Sequence, residues 1–211
     1  MKSLIKTLLY SALWAAGCVA IVCGILYAFF MDAVVIEHNG MAPTIMAGDQ
    51  ILVWENATPE MGDIVVCTHP RDRTKTVVGR LFAKPGMSIE VERNNVTVAG
   101  ERPITDRGPT LSFADSVTGR NARVQLSQVE FGSIDHAIFE PAGRPLRMRS
   151  RNVGSGYFLL SDNRQKRQHD SRSFGEVPIA NCHGVAFTRL RPSETQTAPA
   201  GINHGALDIL Q

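Results

Sequence analysis

Val77-Val78-Gly79-Arg80-Leu81-Phe82-Ala83-Lys84-Pro85-Gly86 reads as a β-strand stopped by a turn. Its β-branched and aromatic residues fit a pleated, packed surface, and Pro85-Gly86 cannot continue a sheet ladder. The strand is expected over Thr76–Phe82. Working outward, Val34–Glu37, Gln50–Trp54, Asp63–Cys67, Ser88–Glu92, Asn95–Ala99, Tyr157–Leu160 and Gly184–Leu190 have the same character, short runs bounded by Gly, Pro, Asn and Asp. Asn94-Asn95 and Ala99-Gly100-Glu101 are the expected hairpin turns. Residues 102–150 are less periodic and broken by Gly108-Pro109, Gly119 and Ala142-Gly143, so a variable, peripheral segment is expected there. Residues 192–211, rich in Thr, Pro, Ala and Gly, are expected to be a disordered tail, though Leu207–Leu210 could dock. No helical pattern and no internal repeat follows residue 32. The fold expected is mainly β, a twisted antiparallel sheet domain over 32–191.

Ahead of that domain, no charged residue occurs between Thr7 and Met31. About 20 apolar residues cross the hydrocarbon core of a bilayer, so residues 1–31 are long enough to be a membrane anchor. A cleaved secretory signal has a shorter apolar region, roughly 7–15 residues. Ala15-Ala16-Gly17-Cys18 has the small residues of a lipoprotein signal, but the chain stays apolar well past Cys18. Lys2 and Lys6 precede the run while Asp32 and Glu37 follow it. The positive-inside rule therefore puts the N-terminus in the cytoplasm and the β domain outside it.

The formal net charge of +2 is accounted for by those two lysines, so nucleic acid is not an expected partner. The arginines of 164–172 are interrupted by Asp162 and Asp170, which reads as an internally paired loop. The histidines have no metal-type spacing, and neither a metal nor a cofactor is expected. Cys18 and Cys23 fall in the anchor as small apolar residues. Cys67 and Cys182 fall in the outer domain, where the compartment permits a disulfide but the spacing does not decide one.

Four blocks then occur in order. Asn39-Gly40-Met41-Ala42-Pro43-Thr44-Ile45 is followed by Gly48-Asp49 and a strand; Gly62-Asp63-Ile64-Val65-Val66 is next. Val78-Gly79-Arg80 precedes Pro85-Gly86, and Ser161-Asp162-Asn163-Arg164 precedes Asp170-Ser171-Arg172. Behind an N-terminal anchor, this series resembles the bacterial signal peptidase I family, membrane-bound serine proteases that use a Ser–Lys dyad. The resemblance covers residues 1–100 and 153–190. It implies the family's β-rich domain, acting on the outer face of the bacterial cytoplasmic membrane in protein secretion.

The family's chemistry needs a serine hydroxyl activated by a lysine kept neutral by burial, with an oxyanion hole for the tetrahedral intermediate. The resemblance puts the serine position at Gly40, the lysine position at Gly79 and the oxyanion hydroxyl at His38. It implies that Met41, Pro43 and Val78 shape a substrate cleft. Arg80, Asp162, Asn163, Arg164, Asp170 and Arg172 are expected to brace the loops as ion pairs and hydrogen bonds. Substitutes are poorly placed. Lys75 shares a strand face with Gly79 but lies about 13 Å along it, Lys84 points to the other face, and His38 has no Ser or Cys to activate. The loop Gln165–His169 is one residue longer than the family spacing and offers Gln165, Lys166, Arg167 and Gln168.

The function these residues imply is that of a proteolytically inactive signal-peptidase-like protein. It would bind or assist secreted or membrane proteins, with the lipid bilayer, signal peptides or secreted and pilus-type proteins as partners. Two alternatives stand beside it: an active signal peptidase with an unconventional or partner-completed site, and a structural subunit of a membrane complex.

Overall fold

A computed structural model of the chain describes residues 2–55, 57–131, 134–143, 145–165, 169–199 and 201–210. It divides into two units, Met1–Asp32 and Ala33–Gln211. The first is helix α1, Lys2–Phe30, in which Ile5–Gly24 is long and apolar enough to cross a membrane. Apolar residues occur on all its sides, so it has no polar face of the kind an amphipathic surface helix turns to water.

The second unit is mainly β. Its strands are β1 (Met31–Val35), β2 (Gln50–Glu55), β3 (Ile64–His69), β4 (Asp72–Ala83), β5 (Ser88–Glu92), β6 (Asn95–Val98), β7 (Ile104–Asp115), β8 (Arg120–Phe131), β9 (Ile134–Pro141), β10 (Arg147–Asn152), β11 (Gly156–Leu160), β12 (Val177–Pro178) and β13 (Cys182–Arg191). Among the described residues they form a seven-stranded sheet, β1-β2-β13-β3-β4-β11-β12, and two three-stranded sheets, β10-β5-β6 and β7-β8-β9. A single turn of helix, α2 (Ser171–Phe174), precedes β12.

β4 lies between β3 and β11, and every residue from Val77 to Ala83 is buried. Its two faces serve different clusters. Val78 packs with Ile36, Met41, Ile64 and Ile51. Val77 and Leu81 pack with Val65, Leu159 and Phe174. Burial of apolar surface on both faces of this strand stabilises the fold at roughly 25 cal/mol per Å² removed from water.

The structure corrects several expectations. The β5–β6 turn is Arg93-Asn94, one residue earlier than expected, because Glu92 pairs with Asn95. Both turn residues have positive φ, 49° and 71°, as a two-residue hairpin requires. Residues 102–150 are no loose segment: they hold β7, β8, β9 and β10. The tail is tied down. Arg189 on β13 bonds Asp208, Leu207 N donates to the Arg189 carbonyl, and Leu210 is buried in the core. Its lack of periodicity concealed this, since the ties are polar and irregular. Cys67 and Cys182 are directly opposed on β3 and β13 and form a disulfide, with Cα atoms 3.8 Å apart.

Candidate functional site

The stretch Asn39–Met41 is a short 3-10 turn lying against β4. Its capping residue is His38, extended at φ −145° and ψ 156°, whose Nδ1 accepts from the Gly40 N–H at 3.1 Å. A neutral imidazole that accepts at Nδ1 carries its proton on Nε2. The His38 ring stacks on His169, with centroids 3.9 Å apart and planes inclined by 17°.

The turn is held from three directions. Asn163 N donates to the Gly40 carbonyl at 2.9 Å and Asn163 Nδ2 to the Asn39 carbonyl at 3.0 Å. Asn39 Nδ2 donates to Asp115 at 2.8 Å and to Gln196 at 3.1 Å, while Asn39 Oδ1 accepts from Ala47 N. The Ala42-Pro43 bond that follows is cis.

Gly79 lies on the face of β4 that carries Val77 and Leu81. A Cβ built there would come 3.0 Å from Leu159 Cβ and 3.6 Å from the Leu160 carbonyl oxygen. A Cβ on Gly40 would come 2.8 Å from His38 Nδ1 and 3.0 Å from His169 Cβ. Both positions are therefore closed over by neighbours, Gly40 by two imidazoles and Gly79 by the end of β11. The loop after β11, through Asn163, then reaches the Gly40 turn.

That loop is anchored by a fully buried ion pair. Arg80 donates Nε to Asp162 Oδ1 at 3.1 Å and Nη2 to Oδ2 at 2.8 Å, and both side chains are 0% exposed. Arg80 Nη1 donates to the Gly62 carbonyl and Thr44 Oγ1 to Asp162 Oδ2 at 2.7 Å. Burial pushes the Asp162 carboxyl up, but the Arg80 charge, His136 and the hydrogen bonds of Arg80 and Thr44 outweigh it and hold the pKa below the usual carboxylate value. His136 sits 3.8 Å from Asp162 Oδ1, and burial with the Arg80 charge pushes its pKa down to about 3.

Arg172 and Asp170 form a second pair, 2.6 Å from Nη2 to Oδ2, and Asp170 also caps α2 by accepting from Arg172 N. Arg164 departs from the expected ion pairing. Its guanidinium lies 4.7 Å over the Phe82 ring, and its Nε and Nη1 find no hydrogen-bond partner among the described residues. Burial and the nearby Arg172 push its pKa down to about 10.

The expected cleft residues are placed differently from the expectation. Met41, 0% exposed, and Val78 belong to the core cluster, and Pro43 is buried, so their side chains serve packing. Lys75 is exposed and pairs with Asp72 at 2.9 Å near the outer end of β4. Lys166, Arg167 and Gln168 lie outside the described residues.

A hydroxyl–imidazole pair does occur: Thr68 Oγ1 is 2.7 Å from His183 Nε2. It lies in the exposed ends of β3 and β13, three residues and so about 10 Å along β3 from Val65, the partner of Gly79. The nearest serine in sequence to Asp162, Ser161, is fully buried and its Oγ has no hydrogen-bond partner among the described residues. Neither arrangement is a nucleophile poised on a base beside a donor for an oxyanion.

The bond from Thr44 to Asp162, the place of His136 and the Asn39–Gln196–Asp115 contacts escaped sequence reasoning. Asn39 reaches partners 76 and 157 residues away, and nothing local marks such a bond.

The family described as "Signal peptidase, peptidase S26" matches residues 8–190. A signal peptidase I of Aquifex aeolicus is 26% identical, with 75% of each chain covered. A Staphylococcus aureus protein called inactive signal peptidase IA is 24% identical, over 75% of this chain and 78% of its own. Among solved structures, a signal peptidase I from Enterococcus faecalis shares 26% identity at a TM-score of 0.35, covering 61% of this chain and 97% of that one.

Proposed function

The chain belongs to the S26 signal peptidase family, and we propose that it is a proteolytically inactive member that holds peptides without cutting them. On this reading Gly40 and Gly79 stand where the family's serine and lysine stand. One observation carries it: the two positions bear no hydroxyl or amine, and the amide at the first is already bonded to His38 Nδ1 at 3.1 Å. Acyl transfer needs a nucleophile, a base and preorganised donors for the developing oxyanion. Glycine supplies the first two at neither position, and the His38 contact engages a donor of the third kind.

The retained scaffold supports a binding role. Arg80 and Asp162, which brace the Gly40 turn through Asn163, are fully buried and bonded. The relative named inactive signal peptidase IA supports the view that this family accommodates inactive members. The occupant is an extended segment of a secreted or membrane protein, held by main-chain hydrogen bonds as strand addition allows. The chain is anchored in the bacterial cytoplasmic membrane by α1 with the β domain outside, where the Cys67–Cys182 disulfide is stable.

The test uses the full-length chain in detergent with a fluorescent synthetic signal peptide ending in Ala-x-Ala followed by a short mature segment. A rise in anisotropy with the peptide mass unchanged is expected. A cut peptide refutes inactivity; no binding refutes the holding role.

A further inference from the structure

We infer that His38 is a built-in gate on the peptide site: its imidazole stands in for a peptide carbonyl on the Gly40 amide, and a bound segment must swing it aside. This rests on the peptide-holding reading above and adds how the site is regulated.

The cap is unusual in its chemistry. Turn and helix starts are ordinarily capped by Ser, Thr, Asp or Asn, whose short side chains bond the amide and leave the space above it open. Here the acceptor is a ring nitrogen at 3.1 Å, and the ring lies across the turn. The point where a Cβ on residue 40 would stand is 2.8 Å from Nδ1, 2.9 Å from Cε1 and 3.0 Å from His169 Cβ. The volume above Gly40 is therefore filled by imidazole, not by solvent. His169 supports the ring in that place by stacking on it at 3.9 Å.

The bonding around the turn makes the amide the contested group. The Asn39 and Gly40 carbonyls each already accept a bond from Asn163. The donor the turn presents is the Gly40 N–H, and His38 holds it. An extended peptide brings carbonyl acceptors of similar strength. His38 is half-buried, and rotation about its χ1 bond to another staggered position would carry the ring off the amide. The peptide's apparent affinity is then its intrinsic affinity reduced by the fraction of open molecules.

The experiment measures binding of the fluorescent Ala-x-Ala peptide to full-length protein in detergent. His38→Ala is expected to bind roughly fivefold tighter than the wild type, the factor corresponding to one neutral hydrogen bond of ordinary net strength. His38→Asn keeps a short acceptor for the amide two residues on and should bind no tighter than the wild type. His169→Ala, which removes the ring stacked on His38 but leaves the His38 bond to Gly40 N, should give a smaller gain than His38→Ala. In wild-type protein labelled with 15N-glycine, the Gly40 amide resonance should move when peptide is added. Equal affinity of wild type and His38→Ala, or a Gly40 resonance unmoved at saturating peptide, overturns the gate and leaves the holding role standing. No binding by wild type or any variant overturns both.

Discussion

Replacing Asp162 with Asn tests whether the buried ion pair holds the site together. The carboxylate accepts two bonds from Arg80 and one from Thr44 with no exposure to water. An amide has the same shape but only one oxygen, and its NH2 would face donors. Arg80 would stay buried without its counter-charge, beside Arg164, itself only 3% exposed. Breaking such a pair from one side costs roughly 3–5 kcal/mol. For a domain of this size each kcal/mol lowers Tm by about 2–4 °C, which gives a fall of roughly 6–20 °C. The assay is thermal unfolding in detergent, followed by near-ultraviolet circular dichroism at neutral pH. Arg80→Met with Asp162→Leu should recover part of the loss, since apolar packing can replace a buried pair; the Gly62 carbonyl and Thr44 hydroxyl then remain unpaired. A single-variant shift under about 2 °C would refute the claim that this pair braces the turn.

His136 has its pKa pushed below the unfolded value of about 6.5, to about 3, so the unfolded chain binds more protons between those limits. Stability is therefore full above about pH 6.5 and falls on acidification by up to about 1.4 kcal/mol per pH unit, and His136→Gln should flatten that slope in urea titrations at a series of pH values. Reducing Cys67–Cys182, which closes a separation of 115 residues, should cost about 2–5 kcal/mol, read as a lower urea midpoint in dithiothreitol that Cys67→Ser with Cys182→Ser reproduces. Gly40→Ser with Gly79→Lys should cleave less than the same pair with His38→Ser added, because the new Cβ at 40 meets the His38 ring at 2.8 Å and must displace it; equal cleavage by the two would refute this.

Much of the sheet was legible from local pattern. Gln50–Glu55, Ile64–His69, Ser88–Glu92 and Gly156–Leu160 lie within a residue or two of the expected runs, because each is short, apolar and ended by Gly, Pro or polar residues. Ile104–Asp115 was not legible. Gly108-Pro109 reads as a break, but the strand passes through it with a shift of register between Arg107 and Thr110. A bulge is where a sheet tolerates glycine and proline. Most of that strand faces solvent, so it shows no apolar alternation either. At the site, the order of short motifs pointed to Arg80 and Asp162, which are indeed bonded. It could not point to Thr44 or His136, whose roles come from being brought together in space. Nor could it reveal that Met41 and Val78 belong to the core, since a buried residue and a cleft-lining one look alike in sequence.

The central claim is that this member of a protease family does not cut. The most direct measurement is a time course of the purified full-length chain with a preprotein carrying Ala-x-Ala, alongside a catalytic signal peptidase I as control. The account predicts that the preprotein stays full length with this chain while the control converts it. Mature protein with its N-terminus immediately after Ala-x-Ala, formed by this chain alone, would contradict it.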